Sequence, residues 1–286
     1  SNTDREVTEK YMLMAKKGMP NSVILPYHEV LKKQDAKKVW LFGILRGCNL
    51  VYEHCKQNKI DFYYMDRPYW GISRQKPYFL RIVKNDHVKN FIDERPDDRF
   101  KASFPFEIKP YHKNGKKILV CPPTNSIATF FKCENWLKDT LADLKKYTDR
   151  EILVREKPYN PEAQLGPDGK IHTGENSNKV RKEPIDWNDI HAVVTNNSSI
   201  TIKALANGVP VFADSNNCTF PIAGKSLARI EQPVYEDPRP LFYSLAYGQF
   251  TGAEMADGTA LRLSLIHISE PTRLLSISYA GFCLKK

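Results

Sequence analysis

No apolar run in this 286-residue sequence approaches the roughly 20 residues that a membrane-crossing helix needs. The opening stretch, SNTDREVTEK, is polar and acidic and lacks the apolar centre of a secretory leader, so no signal peptide is expected, and Ser1-Asn2 reads as a tag remnant. The cysteines, Cys48, Cys55, Cys121, Cys133, Cys218 and Cys283, are scattered without metal-ligand spacing, which points to reduced thiols in a cytoplasmic protein. No Asp-x-Asp stands in a metal-binding loop. The adjacent pair Asp97-Asp98 lies in a polar stretch and reads as solvated charge. Disorder is excluded by composition, with 41% hydrophobic and 27% charged residues.

What the sequence does have is positive charge. The formal net charge is +10 and the pI about 9.2. A basic surface favours nucleotides, nucleic acid or anionic membranes. The lysines are spread along the chain (Lys32, Lys33, Lys37 and Lys38, then Lys109, Lys113, Lys116 and Lys117), so charge alone does not choose among these partners or exclude a merely solvated basic surface.

Two α/β patterns follow one another. Glu6 to Lys17 has helical spacing. Lys38–Gly43 is a short apolar run ending in glycine, Leu50–Cys55 suggests a helix, and Asp61–Asp66 and Tyr78–Val83 read as further strands, together a βαβ pattern. A charged, proline-bearing stretch from Asp93 to Lys117 places a lobe boundary at 114/115. The pattern then restarts with strands at Lys117–Cys121, Glu151–Arg155, His191–Thr195 and Val209–Ala213, a helix over Phe130–Lys146, another over Ser198–Asn207, and a polar loop from Asn160 to Pro184. The expected fold class is α/β, with two Rossmann-like lobes facing a cleft. Residues 1–114 form the first lobe, 115–245 the second and 246–262 a closing segment. In open α/β sheets ligands bind beyond the C-terminal ends of the strands.

The stretch from Ala192 to Phe212 carries the most chemistry. A strand runs into the turn Thr195, Asn196, Asn197, Ser198 and Ser199 and then directly into a helix. Its hydroxyls and the free N–H groups of the first helical turn form a candidate diphosphate site, and the helix dipole favours an anion there. Plain N-capping by Ser198 or Asn197, with Gly208-Val209-Pro210 as a helix stop and strand start, explains the spacing equally well. Arg155 and Lys157 end a strand where they can pair with phosphate, or with Glu156 or Asp149 on the surface. Thr124, in Pro122-Pro-Thr-Asn-Ser126, follows the first strand of the second lobe as a donor contact or a simple turn. In the first lobe Arg46, between Gly43 and Gly47, is a candidate phosphate contact, with glycine turn geometry as the plain alternative. Arg81 is a further acceptor-side candidate. Asp66 ends an aromatic strand among Tyr63, Tyr64, Tyr69 and Trp70. A part-buried carboxylate there is expected to have a raised pKa and to accept a hydroxyl proton, or else to cap the turn before Pro68. Tyr69 and Trp70 either stack on a base or sugar or pack the core. His191 precedes a buried strand, where a structural role is the default.

The turn, the helix ending near Gly208 and the Gly208-Val-Pro-Val211 strand resemble the donor-binding region of GT-B glycosyltransferases and related sugar-nucleotide epimerases. The chain to about Ala260 also resembles small phage-encoded glycosyltransferase-like proteins. That likeness is carried by Gly43–Gly47, Asp61–Asp66 with Tyr69–Gly71, Arg81–Asn85, Arg155–Pro158 and Leu245–Thr251 with Glu254 and Gly258. These lobes would be a minimal version, since GT-B enzymes are usually longer. The resemblance implies a nucleotide-sugar donor as co-substrate, a UDP-sugar foremost, with no bound cofactor and no metal. It implies transfer to a hydroxyl acceptor, with hydroxymethylated pyrimidines of phage DNA foremost, in the cytoplasm of an infected host and without membrane association. A surface-polysaccharide glycosyltransferase, an inert nucleotide- or DNA-binding protein of the same fold, and an epimerase stay open as alternatives. Finally, Leu265–Arg273 (LIHISEPTR) resembles a translated sequencing adapter from assembled environmental reads. The natural sequence is therefore expected to end near Ala260 or Leu261, with residues 263–286 a non-native tail.

Overall fold

The computed structural model describes residues 2–33, 36–44, 47–71, 79–156, 164–165, 171–172, 184–266 and 278–280. In chain order the strands are β1 (Val23–Leu25), β2 (Lys38–Phe42), β3 (Asp61–Asp66), β4 (Phe79–Lys84), β5 (Lys117–Cys121), β6 (Glu151–Val154), β7 (Gln164–Leu165), β8 (Ile171–His172), β9 (Ile190–Thr195), β10 (Val211–Ala213), β11 (Gln249–Thr251) and β12 (Ser278–Ala280). The helices are α1 (Asn2–Gly18), α2 (Tyr27–Val30), α3 (Cys48–Asn58), α4 (Asp98–Ser103), α5 (Asn125–Phe130), α6 (Trp136–Leu144), α7 (Ile200–Ala206), α8 (Arg239–Ala246), α9 (Gly252–Ala256) and α10 (Thr259–Ile266). The chain is α/β and divides into two compact units. One comprises Ser1–His87, Gly166–Ile171 and Tyr247–Lys286, and the other Val88–Leu165 and His172–Ala246. The second unit thus begins at Val88, upstream of the boundary expected at 114/115.

The first unit holds a six-stranded sheet in the order β1-β12-β2-β3-β4-β11. β12 lies within the segment expected to be non-native, and its backbone pairs in parallel with both β1 and β2. β2, α3 and β3 form the expected parallel βαβ unit. β4, read from the sequence as a third strand of a parallel sheet, instead pairs antiparallel with β3, and β11 pairs antiparallel with β4. The join from β3 to β4 explains this, because residues 67–78 carry Pro68, Gly71 and Pro77 and no helical periodicity, whereas a parallel return needs a crossover element. The core gathers Trp40, Tyr63, Met65, Leu80, Ile82 and Phe250 from the sheet with Tyr11, Met12 and Ala15 of α1 and Met255 of α9. Trp40 and Tyr63 stack at 4.6 Å between ring centroids on neighbouring strands, an arrangement that contributes about 1 kcal/mol beyond its burial. Gly47, the residue before α3, has φ 89°, and a Cβ there would lie 2.6 Å from the Tyr27 ring, so the turn after β2 requires glycine.

The second unit holds an all-parallel sheet in the order β10-β9-β5-β6. All six positions of β9 are buried, as are four of five in β5, which matches central strands covered on both faces. The edge strand β6 is exposed or half-buried throughout. Ile118, Val120, Ala192, Val194 and Phe212 form the core with Leu144 of α6, and Trp136, Leu137 and Leu141 pack against it. The helix expected over Phe130–Lys146 is the shorter α6, which starts only at Trp136 and ends at Leu144; a separate helix, α5, ends at Phe130, and Lys132 lies between them in the left-handed region at φ 53°. The stretch expected to be a polar linker contains α4. Its Phe100 stacks on Phe104 at 4.6 Å, and Phe104 lies 4.9 Å from Phe242 of α8. The side chain of Asp97 pairs with Lys101 at 2.8 Å on the exposed face, so this part of the acidic pair is solvated as expected.

Candidate functional site

Counted along the chain, the second sheet has the spatial order 2-1-3-4. β5 is followed through α5 and α6 by β6 on one side, while β9 is followed through α7 by β10 on the other. The direction of winding reverses between β5 and β9. A crevice forms outside the carboxyl ends of the strands at such a switch point, and ligands of open α/β sheets bind there. The residues delivered to this edge are Asp214 after β10, the turn Asn196–Ser199 after β9, Pro122–Asn125 after β5 and Arg155 after β6.

The turn after β9 is held rigid from beneath. Thr195, 1% exposed, donates its hydroxyl to the Cys121 carbonyl at 2.5 Å and accepts the Ser198 N–H at 3.2 Å. That hydroxyl therefore ties the two central strands together. Asn217, 1% exposed, is the second anchor. Its Nδ2 donates to the Ser198 carbonyl at 3.0 Å, and its Oδ1 accepts from the Thr201 hydroxyl at 3.1 Å and from the Thr219 N–H and hydroxyl at 3.0 and 2.9 Å. Asn217 stands in an Asn-rich run after β10, and nothing in the local spacing marks it as a partner of Ser198. The sequence reading did not single it out.

The capping alternative is not what forms. Ser199, not Ser198 or Asn197, precedes α7, with φ −67° and no side-chain cap bond, and Ser198 Oγ accepts only a 3.4 Å bond from the Ile200 N–H. α7 spans seven residues rather than the expected ten, so its dipole is small. The turn's own amides are the remaining candidate donors for an anion. Among the described residues, the backbone N–H groups of Asn197 and Ser199 donate to no protein acceptor. Ser199 is exposed, and Asn197 and Ser198 are half-buried. Thr124, the residue before α5, makes no side-chain cap bond, which leaves its hydroxyl uncommitted to the helix. The Arg155 amide bonds the Val120 carbonyl at 2.8 Å, fixing the start of its loop beside β5.

Asn196 is 3% exposed and donates through Nδ2 to Asp214 Oδ2 at 2.7 Å. The same oxygen accepts the Trp136 indole N–H at 2.8 Å. The Cys133 thiol is pushed up, first by burial and then by the charges of Glu134 and Asp214. His191 is the second residue of β9, at the opposite end of the strand. Its Nε2 lies 2.9 Å from the Ile230 carbonyl, and burial holds its pKa below the ordinary value, as the structural reading expects.

No family model matches the sequence, and no curated protein does. Among solved structures the chain is similar to Thermosulfurimonas dismutans KpsC, a beta Kdo 2,4 transferase, with a TM-score of 0.42 and 14% identity over 79% of this chain and 88% of that one.

In the first unit Asp66 ends β3, and its carboxylate is already engaged. Oδ2 accepts from the Tyr64 hydroxyl at 2.9 Å and from Arg81 Nη2 at 3.1 Å, and Oδ1 accepts the Arg67 N–H at 2.7 Å. The Arg81 guanidinium lies 5.9 Å from the Tyr64 ring centroid and 5.7 Å from that of Tyr69. Burial, followed by the Asp66 charge, raises the Tyr64 phenol well above its ordinary pKa, so it remains a donor. Tyr69 and Trp70 are each 3% exposed, so neither ring forms an open stacking surface. Arg46, Lys157 and the Asn160–Pro184 loop apart from 164–165, 171–172 and Pro184 itself lie outside the described residues.

No helix among the described residues is long and apolar enough to cross a membrane.

Proposed function

We propose that this protein is a glycosyltransferase that takes its sugar from a nucleotide-sugar donor, a UDP-sugar foremost, bound by its diphosphate at the switch point of the second unit. The observation that carries this reading is the pair of unspent N–H groups of Asn197 and Ser199. They sit on a turn fixed by Thr195 and Asn217, at the edge where such sheets bind ligands. Donors fixed in advance stabilise charge as it develops on a leaving diphosphate without reorganisation. Ser198, Thr124, Arg155 and Lys157 complete the donor set. In the reaction the bond from the anomeric carbon to the phosphate oxygen breaks, and the diphosphate leaves with the electron pair. The acceptor oxygen bonds the anomeric carbon, and its proton passes to a base, for which Asp66 is the candidate. Arg46, Arg81, Tyr69 and Trp70 remain the acceptor-side candidates, the last three subject to movement of the packing described above. The acceptor we favour is a hydroxymethylated pyrimidine in DNA, in keeping with the net charge of +10.

The test is mass spectrometry of nucleosides from hydroxymethylcytosine and hydroxymethyluracil DNA, each incubated with the protein and a pool of nucleotide sugars. A hexose or pentose mass on either nucleoside supports the whole reading. Donor binding with no gain on either DNA moves the acceptor to a glycan. Absence of binding to any nucleotide sugar refutes the reading.

A further inference from the structure

The carboxyl edge of the second sheet has opposite charges at its two ends. The order β10-β9-β5-β6 sets Asp214 at one end and Arg155 at the other, with the amide-bearing turn between them. Three strand spacings separate the outer strands, about 14 Å, close to the length of a nucleoside diphosphate. Asp214 is exposed, yet it is not a loosely solvated side chain. Its Oδ2 is pinned by two neutral donors, Trp136 Nε1 at 2.8 Å and Asn196 Nδ2 at 2.7 Å, and no cation pairs with it among the described residues. A carboxylate only accepts, so the Asn196 bond also sets the orientation of that amide and turns its Oδ1 away from Asp214. Asn196 Oδ1 is buried and has no donor, and Asp214 Oδ1 likewise receives none among the described residues. The site therefore has unspent donors in the turn and unspent acceptors at the Asp214 end.

We infer that Asp214, held by Trp136 and Asn196, is the subsite for a vicinal hydroxyl pair of the ligand, so that the donor lies along the sheet edge with its hydroxyl-bearing ring at β10 and its phosphates toward β5 and β6. A fixed carboxylate accepts two adjacent hydroxyls with its remaining lone pairs, while the same charge repels phosphate from this end. The Trp136 indole that holds it is half-buried and packs against the core of this unit, which keeps the carboxylate in place. The inference rests on the proposed function and gives it a direction. The hydroxyl pair belongs either to the ribose or to the transferred sugar.

The experiment is calorimetric binding of UDP, UDP-glucose and inorganic pyrophosphate to the full chain and to Asp214→Ala. Asp214→Asn serves as a shape-preserving second variant and thermal unfolding as the check on folding. A loss of about 10- to 100-fold for UDP and UDP-glucose in Asp214→Ala, with pyrophosphate unchanged or tighter, supports a ribose subsite. The same loss confined to UDP-glucose supports a subsite for the transferred sugar. Asp214→Asn, which keeps one acceptor, should fall between the two proteins. Equal weakening of all three probes would overturn the assignment in favour of a structural role. Unchanged binding of all three would also overturn it while leaving the proposed function standing. Failure of the unaltered chain to bind any probe would remove the proposed function itself, and this inference with it.

Discussion

Replacing Asn217 by alanine should loosen the donor site without touching it. The side chain is 1% exposed and makes four hydrogen bonds. Thr201 keeps its second bond to the Ser198 carbonyl at 3.2 Å, so both of those groups stay satisfied after the substitution. The Thr219 N–H and hydroxyl, on a residue that is fully buried, lose their acceptor. Two orphaned buried donors at about 1–3 kcal/mol each, partly relieved by rotation of the hydroxyl, give an expected cost of about 3 kcal/mol. Urea unfolding followed by tryptophan fluorescence, to which Trp136 and Trp187 of the same unit contribute, reads this as a lower midpoint at constant m-value. Thr219→Val removes only one donor from Asn217 Oδ1 and should cost about 1 kcal/mol. In Asn217→Ala protein that remains folded, UDP affinity should also fall, because the Ser198 carbonyl has lost one of its three tethers, and the two that remain both come from Thr201. A cost below about 1 kcal/mol with unchanged UDP binding would refute the claim that Asn217 holds the turn.

Three further outcomes follow from the same geometry. Ser199→Pro removes one unspent N–H at a residue whose φ of −67° already suits proline, so stability should hold while UDP and pyrophosphate binding, measured by calorimetry, weaken about 10- to 100-fold. Gly208→Ala would force a Cβ to within 2.0 Å of the Pro110 carbonyl at φ +72°, and chemical denaturation should show a loss of at least about 2 kcal/mol. His191 is held neutral by burial, with a folded pKa below the ordinary 6.5. Above that value its contribution to stability is complete. As pH falls from there through the folded pKa, the unfolded chain takes up a proton that the folded chain refuses, and stability declines. Thermal unfolding should show this slope in the wild type and a flatter profile in His191→Gln.

The elements legible in the sequence were those whose signal is local. β5 and β9 are continuous apolar runs because both faces are covered, and the strand–turn–helix around Asn196–Ser199 announces itself by polarity set against apolar flanks. What escaped was whatever depends on a distant partner. Asp214 and Asn217 lie in a polar run beyond β10 that looks like solvated loop, and only the return of the chain brings them to Asn196 and Ser198. The reversed direction of β4 was readable in principle from the helix-free connection, but the apolar pattern of a strand is the same in either direction. Phe100 and Phe104 were masked by the charges and prolines around them, although their spacing of four residues is helical. The carboxylate of Asp66 was placed correctly at a strand end among aromatics, yet its bond to Arg81, fifteen residues along, could not be seen from the spacing.

The pairing of β11 with β4 has a consequence for how this chain assembles. Residues 249–251 complete one edge of a sheet in which β1 to β4 lie before residue 85 and β12 follows at 278–280, while nearly all of the second unit is made from the chain in between. The second unit draws on one nearly continuous stretch and can close its core as soon as that stretch leaves the ribosome. The first must keep the free edge of β4 unsealed until its last strands arrive. Long-range closure of this kind is slow, and an open strand edge invites pairing with other chains. Truncation ahead of β11 should therefore damage solubility more than an internal cut of equal length in a surface loop.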